Sequence, residues 1–238
     1  MSEELRTIVE IGFNILYLIV IWTMVILMTR RLGGVDKKHH HVANLFRWAF
    51  LLLAVGDTGH VGFRVLAYAL GGLEQNGLLV GLGALATAVT VTFFYVFMLY
   101  IWMERYHASF GWFEYLLLGS VPVRFLVMAF PQNEWGSVVT PAFWGPLRNI
   151  FLMILGLGVL FLILRDALKA QDRLFRWIAY CIFFSFLFYT PVIFFVREFP
   201  LVGMLMIPKT IMYVAIAGFA YYGIWLKPAR KKHKHQLA

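Results

Sequence analysis

Apolar positions recur along the chain in runs of about 20 residues, the length that carries a helix across a hydrocarbon core of about 30 Å, and short polar or glycine-containing segments separate them. Seven windows meet this description: residues 11–29, 43–71, 78–103, 112–130, 146–164, 177–196 and 202–226. The second is the least pure, because charged residues interrupt it. Nothing is left over for a soluble domain, so the expectation is an all-α polytopic membrane protein. Residues 1–226 form one seven-helix transmembrane domain and 227–238 a basic cytoplasmic tail.

Composition agrees with this class. Hydrophobic residues make up 61% of the chain and charged residues 14%, with a mean hydropathy of +0.77, which excludes an ordinary soluble domain. The first ten residues, MSEELRTIVE, are acidic and lead to no small-residue cleavage pattern, so no removable signal peptide is expected. The single cysteine, Cys181, falls inside the sixth window and leaves no disulfide framework. No Asn-x-Ser/Thr acceptor is present, and the default address is a bacterial cytoplasmic membrane.

The distribution of Lys and Arg sets the expected orientation. Arg30, Arg31, Lys37, Lys38 and Arg47 flank the first connection, Arg105 lies in the third, and Arg165, Lys169, Arg173 and Arg176 surround the fifth. Lys227, Arg230, Lys231, Lys232 and Lys234 add to the C-terminal side, whereas the other side offers Arg6 and Arg197. The positive-inside rule then places the N-terminus outside and the C-terminus in the cytoplasm. The net charge of +9 reads as topology and attraction to anionic headgroups, not as nucleic-acid binding. LFRW occurs at 45–48 and again at 174–177. This offset lays the third window over the seventh, and a 3+1+3 parallel repeat of the kind found in transporters follows as an expectation, beside the simpler reading of chance in a biased composition.

Against this apolar background, GDTGHVGFR at 56–64 stands out. On a helix turning 100° per residue, Asp57, His60 and Arg64 fall within a sector about 60° wide. Such a stripe is costly against lipid and belongs in the bundle interior or a watery cavity. With a rise of about 1.5 Å per residue, Asp57 lies near the midplane and the other two further outward. Arg124 and Lys209 fall in the outward halves of their windows, and Arg148 and Asn149 open the fifth. The connection FPQNEWG supplies Gln132, Asn133, Glu134 and Trp135. Thr87 and Thr90 share a face of the third window, and Tyr189 and Thr190 precede Pro191; hydroxyls of this kind also bond their own backbone. Arg64, Arg124, Arg148 and Lys209 are then four cations against one buried anion, Asp57, and an imbalance of this kind invites an anionic ligand. The competing reading has Arg64 and Arg148 reaching lipid phosphates and Arg124 pairing with Asp57 as structural glue.

Several enzymatic and signalling classes meet obstacles. A membrane zinc hydrolase needs about three histidines and a carboxylate at the metal, yet His60 alone lies within a window, the others (His39, His40, His41, His107, His233 and His235) being on the cytoplasmic side. No metal or cofactor is expected. A haloperoxidase-type lipid phosphatase would show a Ser-Gly-His element, which is absent. Asp57 and His60, at i and i+3, remain an alternative as catalytic groups, with an oriented general base in a lipid hydrolase or transferase. Lys209 raises a retinal linkage, but it sits too far outward and lacks a carboxylate one turn earlier. Glu104, Arg105 and Tyr106 resemble a receptor element at a helix end, without the rest of that pattern.

GDTGHVGFR, FPQNEW and WGPLRNI together resemble the recurring pattern of an uncharacterised family of bacterial multi-spanning membrane proteins, over the second to fifth windows. The resemblance implies that Asp57, His60, Arg64, Pro131, Gln132, Asn133, Trp135, Arg148 and Asn149 belong to one site, and it implies no activity. The functional expectation is an outward-facing polar cavity that binds an anionic small molecule or lipid headgroup in order to move or sense it. Its partners are that ligand and membrane lipids. Asp57 and His60 would form the floor and couple binding to a proton, because histidine titrates near neutrality.

Overall fold

The computed structural model describes residues 3–227, with side chains from residue 9 onward, and of the expected basic tail only Lys227 falls among these residues. Seven helices are found among the described residues: α1 (Glu3–Arg30), α2 (Lys37–Ala69), α3 (Gly77–Tyr106), α4 (Trp112–Ala129), α5 (Trp144–Lys169), α6 (Arg173–Phe195) and α7 (Met206–Ala220). A 3₁₀ turn, Pro200–Leu205, leads into α7, and the last turns of α7 widen into a π-helix, Tyr221–Leu226. With α7 taken together with these flanking turns as Pro200–Leu226, all seven are long and apolar enough to cross a membrane. Most extend past the apolar windows, because their polar ends are held by local bonds.

Large apolar side chains face outward as well as inward. Leu16, Ile19, Leu126 and Trp112 are 60%, 60%, 63% and 77% exposed, a pattern that water would penalise and lipid accepts. The helices close into a ring in the order α1, α2, α3, α5, α6, α7 and back to α1, with α4 packed outside against α5 and α3.

One end of the ring carries most of the basic residues and is laced by polar bonds. Arg105 pairs with Asp172 at 2.7 Å, and the same carboxylate caps α6 by accepting from the Leu174 and Phe175 amides. His41 meets Glu104 at 2.7 Å, the Trp102 indole donates to Asp166 at 2.9 Å, and the Trp225 indole donates to the Met28 carbonyl at 3.2 Å, tying α7 to α1. Between this basic end and the middle of the bundle lies a buried chain of rings: Phe46 with Phe175, Phe50 with Phe94, Phe94 with Tyr213, and Tyr95 with Phe186. Gly156 of α5 leaves the room that the Phe186 ring occupies.

The α2–α3 hairpin is the tightest joint. Gly71 and Gly72 turn the chain with φ of 107° and 116°, which glycine adopts without strain. The Asn76 amide then bonds the Ala67, Leu70 and Gly72 carbonyls and closes the end of α2. Along the hairpin, a Cβ added at Gly83 would lie 3.0 Å from the His60 Cα. The two backbones therefore touch midway along the charged stripe of α2, the close approach that small residues allow between membrane helices.

Replacing Gly83 by valine is expected to force α2 and α3 apart at a cost of about 1–3 kcal/mol, as overpacking does. Gly62→Ala, which meets nothing within 4 Å, should be neutral or stabilising by up to about 1 kcal/mol. Thermal unfolding of the two purified variants in one detergent checks the contrast.

Candidate functional site

At the end opposite the basic one, the ring opens into a cavity of about 800 Å³. Its lining comes from the first half of α1, the last half of α2, the first half of α3, Arg124 of α4, the α4–α5 connection, the start of α5, the end of α6 and the start of α7. Its floor is the top of the ring chain, where the Tyr95 and Tyr213 hydroxyls lie 3.0 Å apart beside Ser185.

Asp57, His60 and Arg64 all line this cavity, as one face of α2. Asp57 accepts from the Tyr17 hydroxyl at 2.6 Å and from the Thr87 hydroxyl at 3.1 Å. One carboxylate thus joins α1, α2 and α3. Among the described residues no hydrogen bond or ion pair links Asp57 to His60, whose Nδ1 is buried with no partner. Asp57 and His60 thus share one cavity wall without bonding to each other.

The second pole is cationic. Arg124 is 1% exposed; it donates from Nη1 to the Thr92 hydroxyl at 2.7 Å, and its Nε has no partner. Thr92 is free to accept because its own proton goes to the Ala88 carbonyl. Pairing of Arg124 with Asp57 as glue does not occur. Lys209 lies 4.5 Å from the centre of the Tyr189 ring and 5.5 Å from that of Tyr213, and among the described residues no ion pair joins it to a carboxylate. Arg148 stacks over the Trp135 ring at 4.1 Å and makes a long 3.4 Å bond to the Asn133 side-chain oxygen.

The polar residues around these cations hold them in place. The Asn133 amide donates to the Val127 and Phe130 carbonyls and the Trp135 indole to the Met128 carbonyl, so both terminate α4. The backbone of Trp135 and Gly136 lies against Gly81 and Gly77 of α3, where any side chain would collide. Asn149 donates to the Gly145 carbonyl and accepts from Tyr189, whose hydroxyl bond fixes the ring beneath Lys209. Asn133 and Asn149 both line the cavity, and their side chains bond the end of α4, Arg148, the Gly145 carbonyl and Tyr189. Gln132 and Pro131 depart from the expectation: both are exposed and neither lines the cavity, because the 3₁₀ turn Pro131–Asn133 points Asn133 inward instead.

The expected charge balance also changes. Glu10, Glu134 and Glu198 line the cavity, as does Arg197. The exposed rim thus mixes both signs, and the cation excess is confined to the deeper layer of Arg124, Arg148 and Lys209. Tyr17, Tyr95, Ser185 and Tyr213 are further lining residues that pattern alone did not single out. Glu10, Asn14 and Tyr17 do fall on one face at helical spacing, and Tyr213 lies one turn after Lys209. No group of three or more metal-ligating His, Cys, Asp or Glu side chains occurs among the described residues.

Removing the phenol hydroxyl in Tyr17→Phe is expected to cost about 1.5–3 kcal/mol, the range for a hydrogen bond to a charged group. The loss should shrink when the substitution is made on an Asp57→Asn background, and a double-mutant cycle of unfolding free energies measures that coupling.

Compared with known proteins, the chain matches no family model, no curated protein and no solved structure, so the resemblance carried by GDTGHVGFR, FPQNEW and WGPLRNI rests on those residues alone.

Proposed function

We propose that this is a multi-pass protein of a bacterial cytoplasmic membrane that binds an anionic small molecule or lipid headgroup in the cavity and transports it, with sensing of the same ligand as the second reading. The observation that carries the proposal is the buried Arg124. Its Nε is buried without a partner beside a cavity that Lys209 and Arg148 also line, and Asp57, which lines it too, already accepts from the Tyr17 hydroxyl. A guanidinium and an ammonium held this way are costly until an anion with several acceptor oxygens reaches them.

The orientation proposed is N-terminus outside and cavity facing out, in keeping with the cluster of lysines and arginines at the opposite end. The ring order α1–α2–α3–α5–α6–α7, with α4 outside, is also the arrangement that two parallel three-helix units joined by α4 would produce. Transport then requires the ring chain at the cavity floor to part in a second conformation. Asp57, tied to α1 and α3 through Tyr17 and Thr87, is the group whose protonation would release those ties. A lipid hydrolase or transferase using Asp57 and His60 is the alternative, and the absence of a bond between the two weighs against it.

Two measurements test this reading. Cysteines introduced at the exposed Gln132 and Gln171 should be labelled by an impermeant maleimide from outside and inside respectively in intact cells; the reverse pattern removes the orientation. In proteoliposomes, uptake of labelled inorganic phosphate or exchange of labelled phosphatidylglycerol is expected to respond to a pH gradient in the wild type and to lose that response in Asp57→Asn. Movement of neither probe, together with a lipid product that depends on His60, would favour the enzyme instead.

A further inference from the structure

The cavity is much larger than the cation cluster that binds charge within it. The chemistry of its other walls narrows the ligand further. Arg124, Arg148 and Lys209 converge from α4, α5 and α7 around Tyr189, one wall of a space of about 800 Å³. Beside them, α3 lines the cavity with Val80, Ala84, Ala88 and Val91, small apolar residues at helical spacing, with Thr87 the polar member of that stretch. A bare inorganic anion would satisfy the cations and leave that wall in contact with water.

A second feature shows where an apolar body would go. Between α1 and α2 a narrow groove shares Glu10, Asn14 and Arg64 with the cavity and continues along Ile11, Val65 and Tyr68. Val65 and Tyr68 are 44% and 37% exposed on the outer face of the bundle, the surface that meets acyl chains when the helices span a membrane. The groove itself holds about 20 Å³, room for a single water, so α1 and α2 have to part before the cavity opens sideways onto the lipid-facing surface, past a cationic residue.

We infer that the ligand is a membrane amphiphile, with a phosphate or carboxylate head at Arg124, Arg148 and Lys209 and an apolar chain that lies against α3 and leaves between α1 and α2, which part along the line of that groove. This rests on the proposed binding of an anion in the cavity and adds the class of molecule and its route. Arg64, at the junction of groove and cavity, meets the head first and draws it from the bilayer surface. The Arg124 guanidinium, which lines the cavity, supplies a planar charged group for the head's oxygens, and Lys209 adds a point charge. The small residues of α3 leave width for a chain in place of side-chain bulk.

The test is native mass spectrometry of the full chain released from neutral detergent, titrated with 1-oleoyl-lysophosphatidate, with inorganic phosphate, and with the zwitterionic lysophosphatidylcholine. The expected result is one lysophosphatidate adduct per chain at micromolar concentration, retained against a hundredfold excess of phosphate and not formed by lysophosphatidylcholine. Arg148→Gln, in a half-buried side chain, should weaken it at least tenfold. Val65→Trp, which fills the groove from the lipid side, should do the same while leaving any phosphate binding unchanged. If phosphate binds as tightly as lysophosphatidate and Val65→Trp has no effect, the amphiphile and its route are wrong while anion binding in the cavity stands. If lysophosphatidylcholine binds equally well, recognition of the anionic head is overturned. If no probe binds, this inference and the anion-binding reading fall together.

Discussion

Keeping the Arg124 guanidinium almost entirely out of solvent is the most demanding condition this fold meets, and much of the surrounding architecture follows from it. A buried charge needs acceptors or a counter-charge, and the protein itself provides one hydroxyl, that of Thr92. The remainder is arranged around the deficit. Trp135 supports Arg148 by stacking, Tyr189 and Tyr213 face Lys209 with their rings, and Asn149 holds Tyr189 by its hydroxyl. Ring faces attract cations without neutralising them, so these contacts stabilise the cluster and leave its charge available.

Placing those groups depends on glycine at the contact points of the frame. Gly83 lets α3 touch α2 beside His60, and Gly77 and Gly81 receive the backbone of Trp135 and Gly136. The second contact anchors the α4–α5 connection to α3, and Asn133 and Trp135 then close the end of α4 from within that connection. Arg124 and Arg148 sit on either side of it. The connection is thus a bracket that sets the distance between two like charges, on helices that would otherwise be pushed apart by them.

Much of this was legible in the chain before any coordinates. Runs of apolar residues locate all seven helices, and the periodicity of Asp57, His60 and Arg64 places them on one wall of the cavity. Arg124, Arg148 and Lys209 join them there because an ionisable group within an apolar helix has few other places to go. What pattern could not supply was partnership. Tyr17 reads as an ordinary residue of an apolar helix until its hydroxyl is found on Asp57, 40 residues away. Asp57 and His60 look paired by spacing, yet the hydroxyls of α1 and α3 claim the carboxylate first. Gln132 and Asn133 are adjacent and chemically alike, and only the turn that follows α4 decides that one faces outward and the other inward. The charge balance shifted for the same reason: helical spacing puts Glu10 on one face with Asn14 and Tyr17, but only the packing of α1 and of the end of α6 turns Glu10 and Glu198 toward the cavity.

The ring chain from Phe175 to Tyr213 has an electrical meaning as well as a steric one. A wide cavity that fills with water carries the potential of its own side of the membrane down to its floor, whereas a layer of packed aromatic side chains does not conduct. In an energised membrane almost the whole voltage would then fall across that layer instead of across the full bilayer thickness. One elementary charge moved through it would exchange about 2.3 kcal/mol per 100 mV over the depth of a few aromatic rings. Asp57 and Lys209 line the cavity beside that layer, where a small displacement of either would be worth the most.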